Sequence, residues 1–208
     1  MPEVADLFAE EGDGNTPLTD EERQQCRISW IARRADLNEV EMANILKAKA
    51  WLRGRRRRLS SEDILSDDFV RELHRRMFGD VWRWAGRFRA TERNLGVHPS
   101  EIAVMLRMLI DDARFWVQHG TYAPDEIALR AKHRLVSIHP FANGNGRCSR
   151  LQADLIAQQL GRPAFSWGSG SIEGAMAIDL QEHKRRYIAS LRAADNGSIV
   201  ELLALARS

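Results

Sequence analysis

Residues 139–147, HPFANGNGR, place one histidine, two glycines and one arginine in a nine-residue stretch between two apolar segments. Pro140 ends the preceding helix, because the residue before a proline avoids the α conformation. Gly144 and Gly146 permit positive φ angles and close backbone approach, so successive N–H groups can form an anion-binding concavity. A histidine beside such a concavity is suited to proton transfer during the reaction of a phosphate-containing group.

Two arginines strengthen this interpretation. Arg147 begins the predicted next helix, whose free first-turn N–H groups and positive dipole end face the loop. Arg150 follows three residues later on nearly the same helical face. Guanidinium groups bind phosphate through paired hydrogen bonds, so the stretch predicts group transfer from a phosphate ester rather than an ordinary helix–loop–helix turn.

The elements that must position this loop are predicted to be mainly helical. Between them, residues 81–99 alternate aromatic side chains and then contain Asn94, Gly96 and Pro99, which favours extended or hairpin-like structure. We expect the aromatic residues Trp82, Trp84 and Phe88 of this segment to lie in the core. The predicted helices cover 29–52, 63–78, 100–119, 125–138, 147–160, 183–195 and 198–207.

The composition is that of an ordinary globular protein with one domain and at most an appendage. The chain has 208 residues, of which 44% are hydrophobic and 29% charged. No apolar run approaches the roughly 20 residues of a membrane span. The acidic N-terminus lacks the layout of a secretory signal, and Cys26 and Cys148 do not suggest a disulfide framework. We therefore expect a cytoplasmic protein with no membrane partner.

A block of arginines, Arg53 and residues 55–58, stands out although the net charge is only +2. Such a block is either an electrostatic footprint for nucleic acid or a solvated turn between helices. No aromatic stacking platform or nucleic-acid-binding motif accompanies it, so we do not expect nucleic acid as a partner.

The stretch HPFANGNGRCSR resembles the signature of the Fic (Fic/Doc) family at every fixed position except Asn143. WRWAGRFR resembles the entry to that family's flap, and RRYIASLRAADNGSIVELLALA resembles its closing helices. The likeness covers residues 60–208, preceded by a polar lead-in and helical extension over 1–59, and is nearest to the mobile mystery protein B subgroup. It implies a mainly α, Fic-like helical bundle with a short β-hairpin flap.

The resemblance also implies roles for individual residues. His139 would deprotonate the attacking serine, threonine or tyrosine hydroxyl of a target protein, and Phe141 would anchor the loop in the core. Arg150 would hold the γ-phosphate of ATP or pair with an inhibitory glutamate. The nucleotide-binding set it implies is Phe141, Gly144, Asn145, Gly146, Arg147, Arg150 and Tyr187, with Tyr187 at the border of the adenine pocket. The target-binding flap it implies includes Thr91, Asn94, Leu95, Gly96 and Val97.

Asn143 departs from the family, which uses a carboxylate there to hold Mg²⁺ on the phosphates of ATP. An amide oxygen can coordinate Mg²⁺ but contributes no formal charge, so metal binding should weaken. Slow AMP transfer, a different transferred group, or nucleotide binding without turnover all remain open on the sequence alone.

The leading function implied by the resemblance is AMP transfer from Mg²⁺-ATP to a protein hydroxyl, in a toxin–antitoxin or mobile-element setting. The alternatives are a Doc-like protein phosphotransferase and a nucleotide-binding, DNA-associated regulator with little turnover. An antitoxin protein and a second copy of the chain are further partners that the resemblance allows.

Many family members are restrained by a glutamate on an inhibitory helix. Residues 169–174, SGSIEG, fit the family's string, but their glycines make a poor helix. Glu39 and Glu41, on the predicted helix before the core, are better placed but lack the full string. The sequence favours the interpretation that these are ordinary solvated glutamates.

Overall fold

The computed structural model describes residues 19–31, 34–55, 59–167 and 180–208. These residues are mainly helical, which confirms the predicted class. A short 3-10 helix, Pro99–Glu101, precedes the longest central helix. The α-helices are α1 (Asp20–Arg23), α2 (Arg34–Arg55), α3 (Ser61–Ile64), α4 (Asp67–Phe78), α5 (Ile102–His119), α6 (Pro124–Ile138), α7 (Asn145–Gln159), α8 (Leu180–Asp195) and α9 (Val200–Arg207).

Local sequence signals set several of these helix ends. The hydroxyl of Ser66 accepts a hydrogen bond from the Phe69 amide at 3.2 Å and so caps the start of α4. Gly120 ends α5 in the left-handed conformation, with φ 57°, which glycine adopts without steric cost. Pro124 opens α6 at its first position, where a missing N–H costs nothing.

The core joins the central helices to the preceding helix α2. Leu73 of α4 is fully buried, and shortening such a leucine to alanine costs about 2–5 kcal/mol. The apolar side chains of α2 lie in the same core cluster as those of α4 to α7, so α2 is held against the elements that carry the loop. The core residues of α2 are Leu37, Ile45, Ala48 and Leu52.

Residues 88–98 do not form the predicted pair of hairpin strands. The one isolated bridge found in the described part of the chain joins Cys26 to Trp82. Instead, the buried side chain of Arg89 donates to the carbonyls of Thr91 and Val97. These carbonyls are therefore satisfied by a guanidinium rather than by a partner strand. The expected burial of Trp82 and Trp84 is confirmed.

Some predicted features fall outside the described residues, namely the string at 169–174 and the arginines at 56–58. Among the helices that are described, none has the length and apolar character needed to cross a membrane.

Candidate functional site

His139 closes α6 in a left-handed conformation, with φ 53° and ψ 59°. Its amide still donates to the Leu135 carbonyl at 3.2 Å, so the residue is fixed to the helix end. A non-glycine residue in this conformation costs about 1–3 kcal/mol, and such strain concentrates at functional positions. The side chain is mostly enclosed, because only 7% of the residue is exposed.

The surroundings of His139 keep its imidazole neutral. Burial is the main cause that lowers its pKa to about 4, and the Arg89 guanidinium lowers it further. A hydrogen bond to the Val136 backbone acts in the opposite direction. At neutral pH one ring nitrogen therefore donates to Val136 while the other keeps its lone pair, which is the form that a general base requires.

The turn after His139 is shaped by Gly144 and Asn145. Gly144 has φ 79°, and a Cβ there would lie 2.6 Å from a ring carbon of Phe78, so no larger residue fits. The buried side chain of Asn145 accepts from the Phe141 amide at 2.9 Å and donates to the Phe141 carbonyl at 2.8 Å. Asn145 thus closes the loop with its side chain, and only its backbone remains for a ligand.

Helix α7 begins at Asn145, two residues earlier than predicted, and no side chain caps its start. Gly146 lies in its first turn with a negative φ angle, so only Gly144 uses the positive φ expected of both glycines. Apart from its chain neighbours and the backbone of its own helix, no atom lies within 4 Å of the position of a Gly146 Cβ. Unpaired first-turn N–H groups beside open space are a site for an anion.

His74 supports this loop from below and was missed by the sequence analysis. The Gly86 amide donates to its Nδ1 at 3.0 Å, so its Nε2 carries the proton and donates to the Asn143 carbonyl at 2.9 Å. Its ring stacks on the buried Phe141 with centroids 3.8 Å apart. Burial lowers the pKa of His74 to about 3, which keeps it neutral. The signal in the sequence was one histidine on the apolar face of α4.

Arg147 is held by a carboxylate from α2. Its Nη1 lies 2.6 Å from Oε2 of Glu41, and its guanidinium lies 4.7 Å from the centre of the Phe78 ring. The other Glu41 oxygen accepts from the Trp82 indole at 2.7 Å. Glu41 is buried, whereas Glu39 is exposed. The structure thus brings Glu41, and not Glu39, to the loop.

Asn143 offers little to a metal ion. Its Oδ1 accepts from the Gly144 amide at 2.5 Å and from Arg147 at 3.4 Å. Within the described ranges, no group of three histidine, cysteine, aspartate or glutamate side chains is placed to hold a metal. One neutral oxygen that already accepts two hydrogen bonds does not fit a protein-held Mg²⁺ site.

Arg150 lies in a second basic cluster, with Lys132 and Tyr187. Lys132 Nζ lies 4.4 Å and Arg150 Cζ 5.4 Å from the centre of the Tyr187 ring. Among the described residues, the buried Lys132 Nζ has no hydrogen-bond partner, and the polar neighbour of the buried Tyr187 hydroxyl is the Arg150 guanidinium. Burial, and then the charge of Arg150, hold the pKa of Lys132 well below its usual range. Buried donors without acceptors next to a guanidinium favour an anionic ligand.

The flap segment is tied to the loop rather than free. Arg89 Nε donates to the His139 carbonyl at 2.7 Å, and the Val97 amide donates to the Ile138 carbonyl at 3.2 Å. Gly96 has φ 98°, and a Cβ there would lie 2.5 Å from the Cβ of His139. Leu95 is 43% exposed, so the flap presents an apolar side chain to solvent next to the histidine. Thr91 and Asn94 are also exposed.

Comparisons with known proteins agree with this geometry. Residues 64–157 match the sequence profile of the Fic/DOC family. Protein adenylyltransferase fic-1 of Caenorhabditis elegans is 33% identical over 150 residues, which cover 68% of this chain and 26% of that protein. The chain spans about a quarter of the length of the curated relatives it matches.

Solved structures share the fold. A fragment of Fic-1 from C. elegans superposes with a TM-score of 0.63 at 28% identity, covering 80% of this chain and 47% of that one. The N-terminal Fic domain of the Bartonella sp. 1-1C protein Bep8 superposes with a TM-score of 0.65 at 18% identity, covering 86% and 88%. The second likeness concerns the fold alone. With its helical fold, its loop signature and these matches, the chain belongs to the Fic/DOC family.

Proposed function

We propose that this chain transfers AMP from ATP to a serine, threonine or tyrosine hydroxyl of a target protein. Within one short stretch, a neutral histidine is followed by an uncapped helix start that carries Arg147 and, three residues later, Arg150. This juxtaposition of His139 with the first turn of α7 carries the proposal. The curated relative fic-1 is named a protein adenylyltransferase, which supports the same reaction.

In the proposed reaction, the unprotonated ring nitrogen of His139 takes the proton of the target hydroxyl. The hydroxyl oxygen forms a bond to the α-phosphorus of ATP while the bond from that phosphorus to the β-phosphate oxygen breaks. Pyrophosphate leaves, and AMP stays on the target. Developing negative charge is stabilised by the amides of Gly146 and Arg147 and by the two guanidinium groups of Arg147 and Arg150.

The proposed steps use only groups of the chain itself, because the Asn143 side chain does not form a metal site. Mg²⁺ remains a prediction as a companion of ATP, held mainly by the phosphates themselves. The basic cluster of Arg150, Lys132 and Tyr187 suits the terminal phosphates better than an adenine ring. We therefore assign Tyr187 to the phosphate end of the nucleotide.

We further propose that Glu41 restrains the site by occupying Arg147. Their ion pair of 2.6 Å supports this role, since a phosphate must displace a buried carboxylate to reach the same guanidinium. Release requires a contact that moves α2. An antitoxin protein or a second copy of the chain is the proposed source of that contact.

The flap residues Thr91, Asn94, Leu95, Gly96 and Val97 are proposed to align the target. The segment lacks paired strands, so its backbone groups other than those bound by Arg89 and Ile138 can pair with an extended target segment by strand addition. The tie from Arg89 to His139 would then set the distance between the target hydroxyl and the base.

Incubation of the chain with α-labelled ATP, Mg²⁺ and cell lysate tests the proposal. Label on protein that disappears in His139→Ala is the expected result, because the base is then missing. Label that reaches protein from γ-labelled ATP, and not from α-labelled ATP, would identify phosphoryl transfer instead. Label that survives His139→Ala would remove the histidine from the mechanism.

A further inference from the structure

A cavity of about 520 Å³ opens on the side of the molecule formed by α2, the end of α4 and the loop that follows α4. Its size lies within the range of about 300–1,000 Å³ that is usual for small-molecule sites. None of residues 139–150 lines it, so it is separate from the histidine loop.

The walls of this cavity are strongly basic. Seven lysine and arginine side chains line it, against the single carboxylate of Asp80, whereas the whole chain has a net charge of only +2. All seven are exposed to solvent. Charge of one sign around a concave surface raises the local concentration of anions.

Part of this charge is already paired. Lys47 lies 2.7 Å from Asp80, and Glu72, just outside the wall, lies 2.6 Å from Arg75 and 2.7 Å from Arg76.

Three guanidinium groups, those of Arg27, Arg83 and Arg87, have no hydrogen bond or ion pair among the residues that the structure describes. Two of them extend from backbone that is held in place, since the Arg27 amide donates to the Val81 carbonyl at 2.8 Å and the Arg83 amide to the Gln25 carbonyl at 3.0 Å. A single phosphate monoester carries a charge of about −1.5 to −2. Three unpaired guanidinium groups therefore fit a ligand with more than one phosphate.

The Trp51 ring on the wall of this cavity is not available to stack on a nucleic-acid base. The guanidinium groups of Arg55 and Arg76 already lie 5.3 Å and 4.9 Å from the centre of the Trp51 ring. Base stacking would need that ring uncovered. The Trp51 indole N–H is buried without a hydrogen-bond partner in the described part of the chain, and it is a further donor on this wall.

We propose that this cavity binds a small molecule carrying two or more phosphate groups, held by Arg27, Arg83 and Arg87. Guanidinium groups match phosphate oxygens in paired hydrogen bonds, and a cavity of this volume admits a small polyanion but not a duplex. The site accounts for basic residues that the proposed AMP transfer does not use.

Titration calorimetry of the full chain with inorganic tripolyphosphate tests the site. We expect saturable binding that weakens by about tenfold or more in the double variant Arg27→Ser/Arg83→Ser, since two of the three unpaired guanidinium groups are lost. Arg107→Ser, an exposed arginine on α5, is the matched control and should bind as the parent does. Thermal unfolding of each variant reports that the fold is retained.

A second pair of measurements separates this site from the loop and from nucleic acid. Tripolyphosphate also resembles the phosphates of ATP, so Arg150→Met should weaken binding at the loop but leave unchanged the binding event that the double variant weakens. Loss of binding in Arg150→Met with retention in the double variant would place the anion at the loop and overturn the proposal. Absence of binding to the parent chain, or tighter binding of a DNA duplex that the double variant also loses, would overturn it as well. Failure of AMP transfer would leave all of these results unaffected.

Discussion

Asn143 stands where the family has a carboxylate, and its amide oxygen is taken up by Gly144 and Arg147. Asn143→Asp adds a formal charge at the same position and should draw Mg²⁺ to the phosphates. We expect the affinity for ATP in the presence of Mg²⁺ to rise by about tenfold, and by much less with a chelator present. Calorimetric titration under both conditions measures this. Equal affinity in the variant and the parent would show that the metal does not depend on this position.

The low pKa of His139 has a consequence for the rate of transfer. An imidazole that gains its proton only near pH 4 stays active as a base through the neutral range. AMP transfer measured as initial rate should therefore stay level from about pH 8 to about pH 5.5 and fall below that. A fall centred near pH 6.5 would mean that the imidazole is hydrated as in a free histidine.

Lys132 is buried with no hydrogen-bond partner among the described residues, and burial holds its pKa well below the usual range. In the unfolded chain it is protonated below about pH 10, so its low pKa in the fold destabilises the protein at neutral pH. Lys132→Met should raise the free energy of unfolding by about 1–3 kcal/mol at pH 7, and by less at pH 10. Urea unfolding at both pH values tests this, and a loss of stability at pH 7 would contradict it.

At the scale of elements, α2 reaches the loop through one side chain. Glu41→Gln removes the charge that pairs with Arg147 but keeps an oxygen for the Trp82 indole. We expect AMP transfer to increase several-fold, because Arg147 becomes available to phosphate. Glu39→Gln, on the same helix and exposed, is the control and should not change the rate. Reduced transfer in Glu41→Gln would show instead that the carboxylate is needed to position Arg147.

The helices were predictable from sequence because their signals are local. Apolar spacing and terminal residues such as Ser66, Gly120 and Pro124 place the helix ends within a few residues. The predicted hairpin was wrong, because the alternating aromatic residues Trp82 and Trp84 reflect burial in the core and not a strand. Arg89 holds the flap in place. It donates to nearby carbonyls of the flap and to the His139 carbonyl, 50 residues away in sequence.

The candidate site divides in the same way. His139, Gly144 and Arg147 lie within nine consecutive residues, so their closeness in space could be predicted before the fold was known. His74 and Lys132 could not be assigned, because their roles depend on which side chains surround them after folding. Glu41 was a candidate only through its position on a helix, and only the packing of α2 on the core distinguishes it from Glu39.

At the scale of the whole molecule, two buried neutral histidines make stability depend on pH. The pKa values of His74 and His139 are about 3 and about 4 in the fold, below the usual value near 6.5, so the unfolded state binds more protons between these limits. Stability should fall as the pH falls through this window. Between pH 7 and pH 5 each histidine should reduce the free energy of unfolding by about 2 kcal/mol.

His74→Gln separates the two contributions. Glutamine keeps a donor and an acceptor but does not titrate, so about half of the histidine-dependent loss between pH 7 and pH 5 should disappear. Urea unfolding of both proteins at the two pH values gives the comparison. The same loss in the variant would mean that His74 is accessible to protons in the fold.

The most direct test of the proposed phosphate site follows the backbone amides themselves during an ATP titration, by proton–nitrogen correlation NMR of the labelled chain. Binding at the start of α7 predicts saturable shifts of the Gly144, Gly146 and Arg147 amides at one common affinity, with the Arg83 and Arg87 amides responding at a different affinity or not at all. Amides of residues 144–147 that stay unmoved at saturating ATP would contradict the phosphate cradle, and with it the proposed transfer of AMP.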